Sequence, residues 1–109
     1  MKLEKTEYSL NVKSLLKSRE FYSSLGFQTV EGAEAEGWLV LEKEGSRIGL
    51  YEGHIPENAL TFFGGDDPAI SKHLVSSGYE MLSGPEKEAD GSIGATVRDP
   101  DGNLIYFNS

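Results

Sequence analysis

Asp99-Pro100-Asp101-Gly102-Asn103-Leu104-Ile105-Tyr106-Phe107 is a turn that runs into a strand. Pro100 pre-sets φ for a turn corner, Asp99 and Asp101 can accept backbone N–H groups, and Gly102 and Asn103 tolerate positive φ. With Ala95-Thr96-Val97-Arg98 before it, the stretch spells a β-hairpin. Its last strand puts Tyr106 on one face and Ile105 and Phe107 on the other. Whatever site the chain has, that last strand is expected to line it.

Outward from the hairpin, the same logic reads the rest of the chain. Alternation over 8–12 predicts a first strand. Ser14 is an N-cap for a helix whose apolar stripe is Leu15, Phe21, Tyr22 and Leu25, stopped by Gly26. Strands follow at 27–30, 38–42 and 47–51, with an acidic loop over 31–37. The order then repeats. Residues 58–63 read as a fifth strand, and Asp66-Asp67-Pro68 opens a second helix carrying Ile70, Leu74 and Val75 and stopping at Gly78. Short strands are expected at 80–82, 93–98 and 104–108, with a polar loop over 84–91. The helix stop Leu25-Gly26-Phe27 recurs as Ser77-Gly78-Tyr79, an offset of 52 residues in a chain of 109. A duplicated βαβββ unit accounts for this. The expected fold class is α+β: one domain over 1–109, made of two βαβββ modules (about 5–53 and 57–109) that form a cupped mixed sheet with helices on its outer face.

Composition narrows the function. The chain has no cysteine, which removes disulfides, thiolate metal sites and cysteine nucleophiles. A net charge of -8 argues against nucleic acid, whose phosphates need clustered Lys and Arg, and is compatible with a cationic ligand. No apolar run approaches a membrane span, and the start Met1-Lys2-Leu3-Glu4-Lys5 has no signal-peptide core, so a cytoplasmic location is expected. No dinucleotide fingerprint, phosphate loop or nucleophile elbow occurs.

Strand parity separates two surfaces. One holds Tyr8, Leu10, Val12, Ile48, Leu50, Ala59, Thr61, Phe63, Ile105 and Phe107 and is expected under the helices. The other holds Glu7, Ser9, Asn11, Arg47, Gly49, Tyr51, Asn58, Leu60, Phe62, Leu104, Tyr106 and Asn108. Aromatics interleaved with isolated polar groups suit a small-molecule pocket, although an exposed sheet face or a dimer interface has the same look.

The runs Glu7-Tyr8-Ser9-Leu10-Asn11-Val12, Phe21-Tyr22-Ser23-Ser24-Leu25-Gly26-Phe27 and Asp99-Pro100-Asp101-Gly102-Asn103-Leu104-Ile105-Tyr106, in this order, resemble the vicinal oxygen chelate superfamily. That superfamily includes glyoxalase I, fosfomycin-resistance enzymes, extradiol dioxygenases and bleomycin-resistance proteins. The resemblance implies paired modules curled into a cup that holds a ligand or metal, commonly in a homodimer. It also implies metal ligands from the first, fourth, fifth and eighth strands, which fall here on Glu7, Gly49, Asn58 and Tyr106. Only Glu7 is a good ligand for a divalent metal, and His54 and His73 lie off the required parity. No metal or other cofactor is therefore expected.

The leading expectation is a metal-free, dimeric small-molecule binder of the bleomycin-resistance kind. Its ligand-binding residues would be Glu7, Asn11, Trp38, Arg47, Tyr51, Asn58, Phe62, Tyr106 and Asn108, with parity on the third strand leaving the side of Trp38 open. The alternative is an enzyme: a lyase or isomerase with Glu7 as catalytic base, its pKa raised by burial, or a metal-dependent relative. A third reading is a protein-interaction module. Arg47 is an available ion-pair partner for Glu7 on the same face.

Overall fold

The computed structural model describes residues 3–109. The expectation attached to Met1-Lys2, as part of a start without a signal-peptide core, lies outside the described residues. The chain divides into two compact units, residues 7–58 and residues 59–109, the latter joined by the segment before Glu7. We call them module 1 and module 2.

Module 1 contains β1 (Lys5–Asn11, which begins just before the division), α1 (Leu15–Ser24), β2 (Gln28–Ala33), a 3-10 turn (Glu34–Glu36), β3 (Trp38–Lys43) and β4 (Ser46–Tyr51). Its strands lie in the order β2-β3-β4-β1, with β1 and β4 parallel and the other pairs antiparallel. Module 2 repeats this with β5 (Ala59–Phe63), α2 (Asp67–Ser76), β6 (Ser83–Lys87), β7 (Ile93–Arg98) and β8 (Leu104–Asn108), in the order β5-β8-β7-β6. Here β5 and β8 form the parallel pair. Both modules are thus βαβββ mixed sheets with one helix each, and the α+β class expected from the sequence is observed.

The helix signals act as read. Ser14 Oγ accepts the N–H of Lys17 at 3.3 Å and Asp66 Oδ1 that of Ala69 at 3.1 Å, each satisfying one orphan donor of a first turn. Past Gly26 and Gly78, both at positive φ, the chain turns back so that Phe27 N–H reaches Tyr22 O and Tyr79 N–H reaches Leu74 O. The duplicated stop is the same hydrogen bond made twice.

Each module buries its own core. In module 1, Leu15, Leu39, Leu41 and Leu50 are buried, with Leu10, Val12, Tyr22, Phe27 and Ile48 packed against them. In module 2, Ile70, Val97 and Phe107 are joined by Phe62, Leu74, Met81 and Ile105. The opening hairpin forms as expected: Asp99 accepts the N–H groups of Asp101 and Asn103 at 3.0 and 2.8 Å and the side-chain amide of Asn103 at 2.8 Å.

Several expectations are corrected. Phe21 and Leu25 fall off the α1 stripe and are exposed, because only Tyr22 stands two full turns from Leu15. Tyr8 shares the parity of the core residues but sits near the strand's start and is exposed. The sixth strand is not 80–82 but the polar Ser83–Lys87, with a cis Gly84–Pro85 bond. It is the last strand of its module's order, an edge position that tolerates Pro. The parity expected for β5 is reversed. Phe62 pairs with Phe107 in register, stacks on it at 5.8 Å and belongs to the helix-side core, whereas Thr61 stands beside Tyr106. Ala59 and Phe63 share the face of Thr61, so apolar residues on both parities of β5 concealed its orientation.

Candidate functional site

On the face of module 1 away from α1, register brings Glu7, Ser9 and Asn11 of β1 beside Arg47, Gly49 and Tyr51 of β4. Trp38, Val40 and Glu42 of β3 complete the face, since Trp38 pairs with Tyr51 and Glu42 with Arg47. The side left open for Trp38 is therefore this one. Its ring is parallel to that of Tyr51, with centroids 6.4 Å apart.

Glu7 is the centre, although its carboxyl is only 1% exposed. Ser9 Oγ donates to Glu7 Oε2 at 2.5 Å and Tyr51 OH donates to the same oxygen at 2.8 Å. The other oxygen, Oε1, accepts no hydrogen bond among the described residues and faces Arg47 Nε at 3.4 Å, a buried ion pair. Arg47 also donates to Glu42 at 3.2 Å and to Glu31, so three carboxylates surround one guanidinium. Burial works against the Arg47 charge, but the hydrogen bond and charge of Glu31, with Glu7 and Glu42, raise its pKa overall. Burial and then the negative charge of Glu7 push the Tyr51 phenol well above its ordinary value. The phenol is thus held as a neutral donor.

Gly49 makes the arrangement possible. A Cβ there would overlap both the Glu7 carboxylate and the Tyr51 ring, so only glycine leaves room for the pair. Asn11 lies beside Tyr51, exposed, with its backbone N–H held by Asn58 Oδ1 at 2.8 Å. Asn58 precedes β5 and acts as a tie on β1. Offset by 52 residues, the counterpart of Glu7 is Ala59, not Asn58.

Module 2 builds a second polar cluster. Tyr106 OH donates to Glu88 Oε1 at 3.2 Å, and Asn108 Nδ2 donates to Tyr106 OH and to Ser92 Oγ, both at 2.9 Å. Burial pushes the Tyr106 pKa up to about 12; the Asn108 bond opposes this and the Glu88 charge adds to it. Gly94 leaves the room, since a Cβ there would overlap Glu88 Oε1 and approach Tyr106 OH.

Glu7, Trp38, Arg47 and Tyr51 are thus brought together, Asn11 and Asn58 stand at the edge of the same module, Tyr106 and Asn108 meet in module 2, and Phe62 leaves the site for the core. Sequence reasoning missed Ser9, Glu31, Glu42 and Glu88 as site residues. Glu42 was legible as the i+4 partner of Trp38 across β3, but Glu31 reaches Arg47 only through a β-bulge after Thr29, and Glu88 follows β6.

The model of the Glyoxalase/Bleomycin resistance protein/Dioxygenase superfamily matches residues 6–107. The chain belongs to this superfamily. Solved structures similar in fold to this chain include one described as an NAD-dependent benzaldehyde dehydrogenase from Legionella pneumophila, at 20% identity, TM-score 0.80, covering 94% of this chain and 96% of that one. A superfamily member from Vibrio splendidus 12B01 matches at 16% identity and TM-score 0.73, covering 95% and 97%. The methylmalonyl-CoA epimerase of Mycobacterium tuberculosis matches at 19% identity and TM-score 0.66, covering 97% and 85%. At these identities the likeness is one of fold. A search of curated proteins returns no match.

A divalent ion needs several carboxylate or imidazole donors converging on one point. Among the described residues no group of three or more His, Cys, Asp or Glu is arranged to hold a metal ion. Around Glu7 the neighbours are a hydroxyl, a phenol that donates to the carboxylate, and a guanidinium whose positive charge opposes a cation. These groups do not fit a divalent metal. No helix among the described residues is long and apolar enough to cross a membrane.

Proposed function

We propose that this protein binds a small molecule on the Glu7 face of module 1 and does so without a metal ion, in the manner of the bleomycin-resistance branch of its superfamily. The observation that carries this reading is the condition of Glu7. At the strand position where metal-dependent relatives take a ligand, the carboxylate is already engaged by Ser9, Tyr51 and Arg47. The half-buried Trp38 and Tyr51 rings supply stacking area, and the half-exposed carboxylates Glu31 and Glu42 beside Arg47 supply orientation. The balance of three carboxylates against one guanidinium favours a cationic ligand, as the net charge of -8 does for the chain.

The test uses Trp38, the only tryptophan of the chain, as reporter. Fluorescence titration of the purified protein in EDTA, against planar aromatic amines, amidines and neutral amides, is expected to give saturable binding with one ligand per chain. Binding or turnover that appears only after a divalent metal is added would overturn the reading.

One observation favours a second reading, acid–base catalysis. Glu7 Oε1 is a buried carboxylate oxygen with no hydrogen bond donor among the described residues, and a base needs such an open lone pair. Glu7→Gln keeps the shape and removes the base. A pure binder turns over none of the ligands it holds, in wild-type protein or in that variant, whereas a lyase or isomerase turns one over and loses that turnover by orders of magnitude in the variant.

A further inference from the structure

Arg47 is the point where the Glu7 face contradicts itself as a ligand site. Its guanidinium occupies the one place to which all the nearby negative charge is directed: Nη1 goes to Glu42 at 3.2 Å, Nη2 to Glu31, and Nε faces Glu7 at 3.4 Å. The contact to Glu7 is the weak one. Oε1 is buried and accepts no hydrogen bond among the described residues, although a charge-assisted N–H···O bond closes to about 2.8 Å when geometry allows. An acceptor of full charge is therefore ion-paired with a cation but not hydrogen-bonded to it. The other two carboxylates are half-exposed, so solvent has access to the outer side of the guanidinium, and Arg47 itself hangs on a flexible three-carbon stem.

We infer that Arg47 is the protein's own stand-in for its ligand, an internal guanidinium that a planar amidinium or guanidinium compound displaces from Glu7. The inference rests on the small-molecule reading above and adds the ligand's chemical class and the event that admits it. On displacement Arg47 swings outward and keeps Glu31 or Glu42, so no charge is left buried without a partner. The incoming cation donates to Oε1 in the plane of its fork, a geometry an ammonium lacks. An aromatic ring attached to it lies toward Tyr51, whose hydroxyl already touches the same carboxylate, and toward the parallel Trp38 ring.

The probes are benzamidinium and its neutral near-isostere benzamide, read by Trp38 fluorescence in EDTA. Wild-type protein is expected to bind benzamidinium about tenfold tighter than benzamide, and Arg47→Met to tighten benzamidinium by a further factor of about ten while leaving benzamide nearly unchanged. In wild-type protein, so that the result does not depend on the variant folding, benzamidinium is expected to speed exchange of the Arg47 Nε proton with water, followed by nitrogen-15 NMR; benzamide is not. Weaker benzamidinium binding in Arg47→Met would overturn the inference, because Arg47 would then hold the ligand rather than compete with it. Equal binding of both probes, neutral compounds binding without benzamidinium, or benzamidinium binding with the Nε proton exchanging as before would overturn it while leaving the small-molecule reading in place. No binding by any compound of the wider panel sinks both.

Discussion

The two modules have the same order of elements, the same strand order and the same helix stop, yet they spend their polar residues differently. Offset by 52 residues, the buried Glu7 of module 1 becomes Ala59 and the core Leu15 becomes the buried Asp67; by strand register, with Ser9 beside Gly49 and Thr61 beside Tyr106, Gly49 corresponds to Tyr106. Both modules nevertheless make a phenol–carboxylate pair over a glycine: Tyr51 with Glu7 over Gly49, and Tyr106 with Glu88 over Gly94. In module 1 the carboxylate stands on the first strand, fully buried, with Arg47 as counter-ion; in module 2 it follows the edge strand and is half-exposed. The scaffold therefore fixes where a pair can form, and burial decides what the pair is worth.

Truncating the carboxylates tests this most severely. Glu7→Ala strands the buried Ser9 hydroxyl and the half-buried Tyr51 phenol and removes the buried ion pair, and is expected to cost about 3 kcal/mol of folding stability. Glu88→Ala breaks a half-exposed contact and is expected to cost less than about 1 kcal/mol. Urea unfolding of the two variants measures both. Equal losses would show that burial is not the deciding difference.

The glycines come next in size. Gly49→Ala pushes a methyl group into a buried carboxylate and a packed ring, neither free to move, and is expected to cost about 2 kcal/mol. Gly94→Ala meets the far end of the less buried Glu88 side chain first, and is expected to cost about 1 kcal/mol. Thermal unfolding of the pair gives the ratio. A larger loss from Gly94→Ala would mean that Glu88 is as fixed as Glu7.

Asp67 against Leu15 gives a smaller, pH-dependent effect. Among the described residues neither Asp67 oxygen has a hydrogen bond donor. Burial raises its pKa, the nearby Ser109 side chain offsets this in part, and the Asp66 charge adds to it. A carboxyl whose folded pKa lies above its unfolded value binds more protons folded than unfolded. Its contribution to stability is full below the ordinary value of 3.8 and is lost as pH rises through the folded value. Asp67→Leu, which gives module 2 the residue of module 1, is thus expected to stabilise by about 1 kcal/mol at pH 7 and to lose that part of its advantage as the pH falls toward 3.8. Urea midpoints at the two pH values check it, and a gap independent of pH would rule out the charge as its source.

Much of this contrast was legible in the sequence. The hairpin at Asp99, the two helix caps and the duplicated stop are local signals, settled by residues within one turn of each other. The orientation of β5 was not local, because Leu60 and Phe62 on one side compete with Ala59 and Phe63 on the other; the offset that matches Leu10 to Phe62 decides it. β6 was invisible because Ser83-Gly84-Pro85-Glu86-Lys87 has no strand propensity and is held extended by its pairing with β7. At the site, Glu7 and Arg47 followed from parity alone. Glu31 and Glu88 did not, since each reaches its partner from beyond a bulge or a strand end.

The smallest effect separates the two phenols themselves. Both are raised by burial first, but Tyr51 also donates to the fully buried Glu7, whereas Tyr106 receives an opposing hydrogen bond from Asn108 and donates to the half-exposed Glu88. Each phenol must lose its proton beside a negative charge, and the Glu7 charge is the one that water screens least. Spectrophotometric titration of the five tyrosines should therefore show a step for Tyr106 near 12 and one for Tyr51 later still. Tyr106→Phe is expected to remove the step near 12, and Tyr51→Phe the last one. Tyr106→Phe should leave Arg47 undisturbed, while Tyr51→Phe takes one of two donors from Glu7 Oε2 and frees the carboxylate to turn toward the guanidinium. If the two phenols titrate together, the counter-ion at Glu7 screens the carboxylate charge fully, and the difference between the modules is one of packing rather than of electrostatics.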